Sequence, residues 1–182
     1  MKIKIILFLT LALLILSCKS STPKQRTYKD AEFEFVSSLT SLDTLNCILQ
    51  CEHFMGLLKN GQLDEALDML CVVYENELYK VADSSLAEFK NRFELFPVTD
   101  FKLLRFSFST QAVNDVVFRY SSGCTIGETG PHFKLAINPV KIDDDWFLML
   151  KDGYVSSKDL NPENQISPDS FPPAPVTLHT KQ

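Results

Sequence analysis

Thiols and imidazoles are the side chains here best able to do chemistry, and the sequence has five cysteines and three histidines. Cys124 and His132 stand eight residues apart, and a thiol hydrolase needs only such a nucleophile and base close in space. A reactive thiol also needs its pKa lowered, as at a helix N-terminus. The segment SSGCTIGETGP has instead the composition of a hairpin loop, with no helix following Cys124. Cys47 and Cys51, one helical turn apart, would make half of a metal site, but His53 points about 200° away from Cys51 around the same helix. His132 beside Pro131 and His179 fall in no metal-ligand spacing. Asp143, Asp144 and Asp145 lack the later glycine and glutamate of a calcium loop and read as a solvated turn. Serine-hydrolase, zinc-protease, phosphate-loop and dinucleotide fingerprints are absent from the sequence, and neither a metal nor a cofactor is expected.

Cys18 stands apart from the other thiols. Lys2 and Lys4 form a basic head, residues 5–16 are an apolar run free of charge and broken only by Thr10, and Ser17 places a small residue directly before Cys18. A bilayer-spanning helix needs about 20 apolar residues, and this run ends sooner, at the polar text KSSTPKQRTYKD. The order of basic head, apolar stretch and small residue is that of a signal peptide. The segment ILSC resembles the lipobox of bacterial lipoprotein precursors, although Leu16 is less usual at its place. That resemblance implies cleavage after Ser17, acylation (palmitate among the chains) at Cys18, and anchorage to a membrane of the bacterial cell envelope without a spanning helix. Acyl chains contribute about 0.8 kcal/mol per buried methylene, so two or three would hold nearly permanently.

With Cys18 acylated, Cys47, Cys51, Cys71 and Cys124 remain, an even number that suits an exported protein and admits three disulfide connectivities. Cys51 and Cys71 are each ten residues from Gly61. If the chain turns between two antiparallel helices at Gly61, the two thiols lie at one height and can form a bridge. Equally, each can pack as a small hydrophobe.

Charge narrows the partners. The formal net charge of −5 becomes −7 once Lys2 and Lys4 leave with residues 1–17. A nucleic-acid binder shows a basic stripe, and none is legible along the chain, so no nucleic-acid partner is expected. The basic residues after Cys18 read as a solvated tether near head groups.

The elements that would position these residues follow from periodicity. Residues 18–41 read as tether, with AEFEFV as a short docking strand at most. From residue 42 to 59, Cys47, Ile48, Cys51, Phe54, Met55 and Leu58 share one arc of a helix, with Asn46, Gln50 and His53 opposite. NGQ at residues 60–62 stops it, Gly61 taking the left-handed conformation. LDEALDMLCVVYENELYKVA reads as a second helix with Leu63, Leu67, Leu70, Tyr74, Leu78 and Val81 in a stripe. SSLAEFKNRFELFP reads as a third, with a Ser85–Glu88 capping box and a stop at Pro97. The period then changes to two: Leu104, Phe106 and Phe108 share one face, as do Val116, Phe118 and Tyr120, with a turn at Asn114 and Asp115 between. Phe133, Leu135 and Ile137 point inward on the next strand, and WFLMLKDGYV follows the aspartate turn. Connections this short make antiparallel hairpins. The proline-rich text beyond residue 155 reads as an extended tail, with Phe171 its one large apolar anchor.

Helices followed by hairpins define an α+β domain over residues 42–155. With the turn LLKNGQLDEALDML, this order resembles the bacterial NTF2-like (cystatin-like) superfamily, in which helices close one side of a bent sheet around a conical pocket. The same GQLDEAL text resembles a tetratricopeptide turn, but no repeat of that period follows. Some NTF2-like proteins are isomerases or dehydratases with an acidic base and a tyrosine or acid donor in the cone. No motif carries those roles onto residues here; Asp100 and Tyr120 are the residues one would guess, and Tyr74, Tyr79 and Trp146 could line a pocket or simply form core. The expectation is an anchored lipoprotein whose domain binds a small molecule or an envelope protein without catalysis. The alternative is an NTF2-like lyase or isomerase acting on a small apolar substrate. A buried carboxylate beside a tyrosine in a closed pocket would favour the enzyme.

Overall fold

The computed structural model describes residues 26–74, 77–151 and 162–168. Cys18, its apolar run, Phe171 and His179 lie outside the described residues. The chain divides into two units, residues 1–31 and 32–182. In the first, the backbone N–H and hydroxyl of Thr27 donate to Asp30 Oδ2 (2.9 and 2.8 Å), and the Asp30 N–H donates back to Thr27 Oγ1 at 3.3 Å. This exchange of side-chain and backbone bonds satisfies N–H groups that a helix start leaves without partners.

The helix so begun is α1, Tyr28–Ser38. It replaces the tether, and the docking strand, expected over these residues. AEFEFV alternates like a strand, but Phe35 and Leu39 pack on the core of the second unit, and a helix puts residues four apart on one side. α2, Ser41–Lys59, begins at Thr40, whose hydroxyl accepts from the Asp43 N–H (3.0 Å) while Asp43 Oδ2 accepts from the Thr40 N–H (2.8 Å). Gly61 ends it with φ of 74°, a conformation glycine adopts without the Cβ clash other residues meet. Its buried face carries Cys47, Cys51, Phe54, Met55 and Leu58 as expected, and also Gln50 and Leu57. Gln50 is only 8% exposed, so the buried arc is rotated toward it from the arc the apolar residues alone suggest.

The expected second helix is cut short. α3 spans only Leu63–Asp68, and β1 (Cys71–Tyr74) pairs antiparallel with β2 (Glu77–Lys80), Val72 opposite Tyr79. Val72, Val73, Tyr74 and Tyr79 are β-branched or aromatic residues that fit a pleated surface better than a helix. α4, Asp83–Leu95, is the expected third helix and stops before Pro97, but Ala82 is its N-cap and no side chain caps it. The Ser85–Glu88 box is not used, because Ser85 is already helical.

Four strands follow, β3 (Asp100–Phe108), β4 (Asn114–Ser121), β5 (His132–Ile142) and β6 (Asp145–Leu150), forming one antiparallel sheet in that order. A register shift between Leu103 and Arg105 makes Leu104 an extra residue. Before it, Phe101 and Leu103 oppose Tyr120 and Phe118; after it, Phe106 opposes Val116. The bulge thus corrects the expected face: Phe106 and Phe108 share the side of Phe101 and Leu103, and Leu104 does not continue it. Asn114 is likewise no turn residue. It opens β4 fully buried, its Oδ1 accepting from Ser109 N–H at 3.0 Å and its Nδ2 donating to Pro139 O at 2.7 Å.

One apolar cluster joins α2 to the inner face of this sheet, through Phe54, Met55, Val116, Phe118, Leu135, Ile137 and Leu148. Trp146 on β6 and Phe108 on β3 have ring centroids 5.5 Å apart. Flat, the sheet would hold these edge strands about 14 Å apart, three spacings of about 4.8 Å; it bends to bring the side chains together. A second, smaller cluster of Cys71, Leu78 and Phe147 seats the β1–β2 ribbon against β6. Beyond the expected boundary at residue 155, β7 (Gln165–Ile166) pairs with β2, Ile166 opposite Leu78. Part of the expected free tail is therefore a strand of the three-stranded sheet β1-β2-β7.

Candidate functional site

Aromatic side chains of the main apolar cluster pack in a row along the inner face of the sheet. Phe35 and Phe108 pack on Trp146 at one end, and Phe101 stands edge-on to Phe118 in the middle. At the other end Tyr120 stacks on Phe133 at 5.2 Å and meets Phe93 at 6.3 Å. Trp146 and Tyr120 are thus core, whereas Tyr74 is exposed and Tyr79 half-buried.

The guessed acid–tyrosine arrangement does not form. Asp100 Oδ1 accepts from Lys59 Nζ at 3.0 Å and Oδ2 from the Ile126 N–H at 3.1 Å. The Lys59 bond, with help from the Ile126 N–H, holds the Asp100 carboxyl below its usual range. A general base working near neutrality needs the opposite shift. Burial raises the pKa of Tyr120 against a smaller pull from Arg92. These two groups do not make a matched acid and base.

The thiols are equally committed to structure. Cys47, Cys51, Cys71 and Cys124 are all free. Cys51 belongs to the main cluster and Cys71, on β1, to the smaller one, so the helical hairpin that would set them at one height is not built. Burial pushes the Cys51 thiol well up, reinforced by Cys47, and raises Cys71 to about 12. Cys124, half-exposed, turns toward Pro131 O at 3.9 Å, while His132 Nε2 shares a hydrogen bond with Glu128 O at 3.0 Å. Each is engaged with its own loop, and no hydrogen bond joins them. Among the described residues no group of three or more His, Cys, Asp or Glu could hold a metal ion. No described helix is long and apolar enough to cross a membrane.

A cleft opens where α3, the end of β2, the start of α4 and β7 meet. This cleft has a volume of about 720 Å³, within the range of roughly 300–1,000 Å³ common to small-molecule sites. Leu67, Leu70, Val81, Leu86 and Ile166 make its apolar lining, with Asp68, Asp83, Lys80 and Asn164 as the polar groups. Asp64 and Lys90, paired at 2.8 Å, tie α3 to α4. The cleft offers an apolar ligand body a leucine-rich wall and a polar end two carboxylates and one ammonium. Sequence reasoning missed it because one wall comes from the expected tail and another from a strand read as helix.

No protein-family model matches the chain, and no curated protein matches it. Among solved structures the chain is similar to an NTF-2 like protein of unknown function from Shewanella oneidensis MR-1, with a TM-score of 0.39 and 17% identity over 58% of this chain and 93% of that chain. A likeness this loose carries no further argument, and the α+β class stands on the elements themselves.

Proposed function

We propose that the protein is a lipoprotein of the bacterial cell envelope, held to its membrane by acyl chains on Cys18, whose NTF2-like α+β domain binds a small amphipathic ligand without catalysing a reaction. The observation that carries the binding role is the open, leucine-lined cleft walled by α3, β2, α4 and β7. Catalysis of the isomerase kind would pair an acidic base with a tyrosine or acid donor, whereas the Asp100 carboxyl is held below its usual range by Lys59 and Tyr120 packs in the core. Anchorage rests on the sequence alone: Lys2, Lys4, the apolar run and Cys18 after Ser17.

Two measurements test the two halves. Mass spectrometry of small molecules that co-purify with the full chain should find a ligand that Leu86→Trp, which fills the cleft, releases; retention of every ligand by that variant would refute the site. Metabolic labelling with a fatty-acid analogue should mark the wild type and leave Cys18→Ala unmarked, and equal label on both would refute the anchor.

A further inference from the structure

Read along the chain, the basic residues look scattered, but strand register gathers them on the outer face of the four-stranded sheet. Tyr120, Phe118, Phe133, Leu135, Phe101 and Leu103 face the core, so the residues between them face outward. Lys102 pairs with Arg119, and Arg119 pairs with Lys134, making an unbroken row of cations across β3, β4 and β5. Neighbouring strands lie about 4.8 Å apart, so three charges fall within about 10 Å. None of the three has an acidic partner among the described residues; Lys102 and Lys134 are exposed and Arg119 half-exposed. In the next row the bulge turns Arg105 outward, its side chain 70% exposed, and Lys151 reaches the same side. Both lean on one carboxylate, Asp115, at 3.9 Å from Arg105 and in close contact with Lys151.

Like charges directly opposite one another destabilise a sheet, and this row occurs in a chain where acids outnumber bases 23 to 18. The row itself carries no acid, and Asp115 beside it is already shared by Arg105 and Lys151. Three neighbouring strands present the cations as a row rather than a point, which suits the face to an extended anionic surface.

We infer that Lys102, Arg119 and Lys134, flanked by Arg105 and Lys151, form a docking face for the anionic head groups of a bilayer. The choice of a bilayer over another polyanion rests on the proposed anchorage at Cys18, which would hold the domain beside such a surface. Docking would press this face on the membrane and orient the rest of the domain above it. Each cation near an anionic surface favours docking about fivefold, so the row favours it roughly a hundredfold at low salt.

The test is acylation of lysines by a water-soluble reagent, read by mass spectrometry on the full chain reconstituted into vesicles. Vesicles that are one-third phosphatidylglycerol are compared with purely zwitterionic ones. On the anionic vesicles Lys102 and Lys134 should react at least about tenfold more slowly, with Lys90 on α4 unchanged as internal control. The protection should vanish at high salt and weaken in Arg119→Gln, which removes repulsion and so should fold at least as well as the wild type. Equal rates on the two vesicle types, or protection untouched by Arg119→Gln, would overturn the proposal. Stronger protection by added duplex DNA than by anionic vesicles would overturn it in favour of a nucleic acid. The vesicle measurement uses the unprocessed chain, whose residues 5–16 insert without acylation, so a missing fatty-acid label sinks the anchor and leaves this result standing.

Discussion

Removing residues 162–182 should measurably destabilise the domain, although that segment reads as a dispensable tail. Ile166 pairs with Leu78 and packs half-buried against the cluster of Cys71, Leu78 and Phe147. Full burial of an isoleucine contributes about 1.5–3 kcal/mol, so half-burial contributes about 1 kcal/mol. Pairing with β2 adds one or two backbone hydrogen bonds at about 1 kcal/mol each. The Gln165–Glu77 side-chain bond of 2.8 Å is exposed and adds little. The sum, about 2–3 kcal/mol, corresponds to a fall in Tm of roughly 8 °C for a domain of this size. Thermal unfolding followed by circular dichroism would compare chains ending after residue 161 and after residue 168, which isolates residues 162–168. Ile166→Ala in the full chain should lower Tm by about 4 °C. If the two truncations melt within about 2 °C of each other, β7 contributes nothing and the reasoning from its pairing fails.

Asn114→Ala should cost about 2–4 kcal/mol in urea unfolding, because it strands the Ser109 N–H and the Pro139 carbonyl; a loss under about 0.5 kcal/mol would refute that accounting. Lys141→Met should cost about 1–2 kcal/mol, since Lys141 donates to Asp43 Oδ1 at 2.6 Å in a pair that is mostly buried. Burial alone would raise the Asp43 carboxyl, but the bonds from Lys141 and Thr40 outweigh it and hold the group below its usual range. A depressed carboxyl contributes its stability above the unfolded value of about pH 4 and loses it as pH falls through the folded value. The gap between wild type and Lys141→Met should therefore narrow below about pH 4, and a constant gap would contradict the pairing. Among the described thiols, only Cys124 should react with a thiol reagent at pH 8 in the native chain. Cys47, Cys51 and Cys71 should wait for unfolding, being enclosed in the core; fast native labelling of Cys71 would show that β1 does not cover it.

Local signals settled what lies within one turn or one hairpin of itself. The arc from Cys47 to Leu58, the stop at Gly61, the alternation of Phe133, Leu135 and Ile137, and the turn before Trp146 needed no distant partner to be legible. Where two periods fit a segment, only packing chose. Residues 69–80 carry a helical stripe yet pair as a hairpin, because Cys71, Leu78 and Phe147 bury one another against β6. Residues 31–36 alternate like a strand yet lie in a helix, because Phe35 and Leu39 meet the core together. The bulge at Leu104 inverted a face, since one extra residue reverses every side chain after it. Neither the cleft nor the cation row has any signature in linear text. The first is walled by residues from 67–70, 80–86 and 164–166, the second by residues about 15 apart in sequence that register sets side by side. Sequence order thus determined the elements and the α+β class; the pairing of elements distant along the chain decided which surfaces they make, because burial and strand register are properties of neighbours in space.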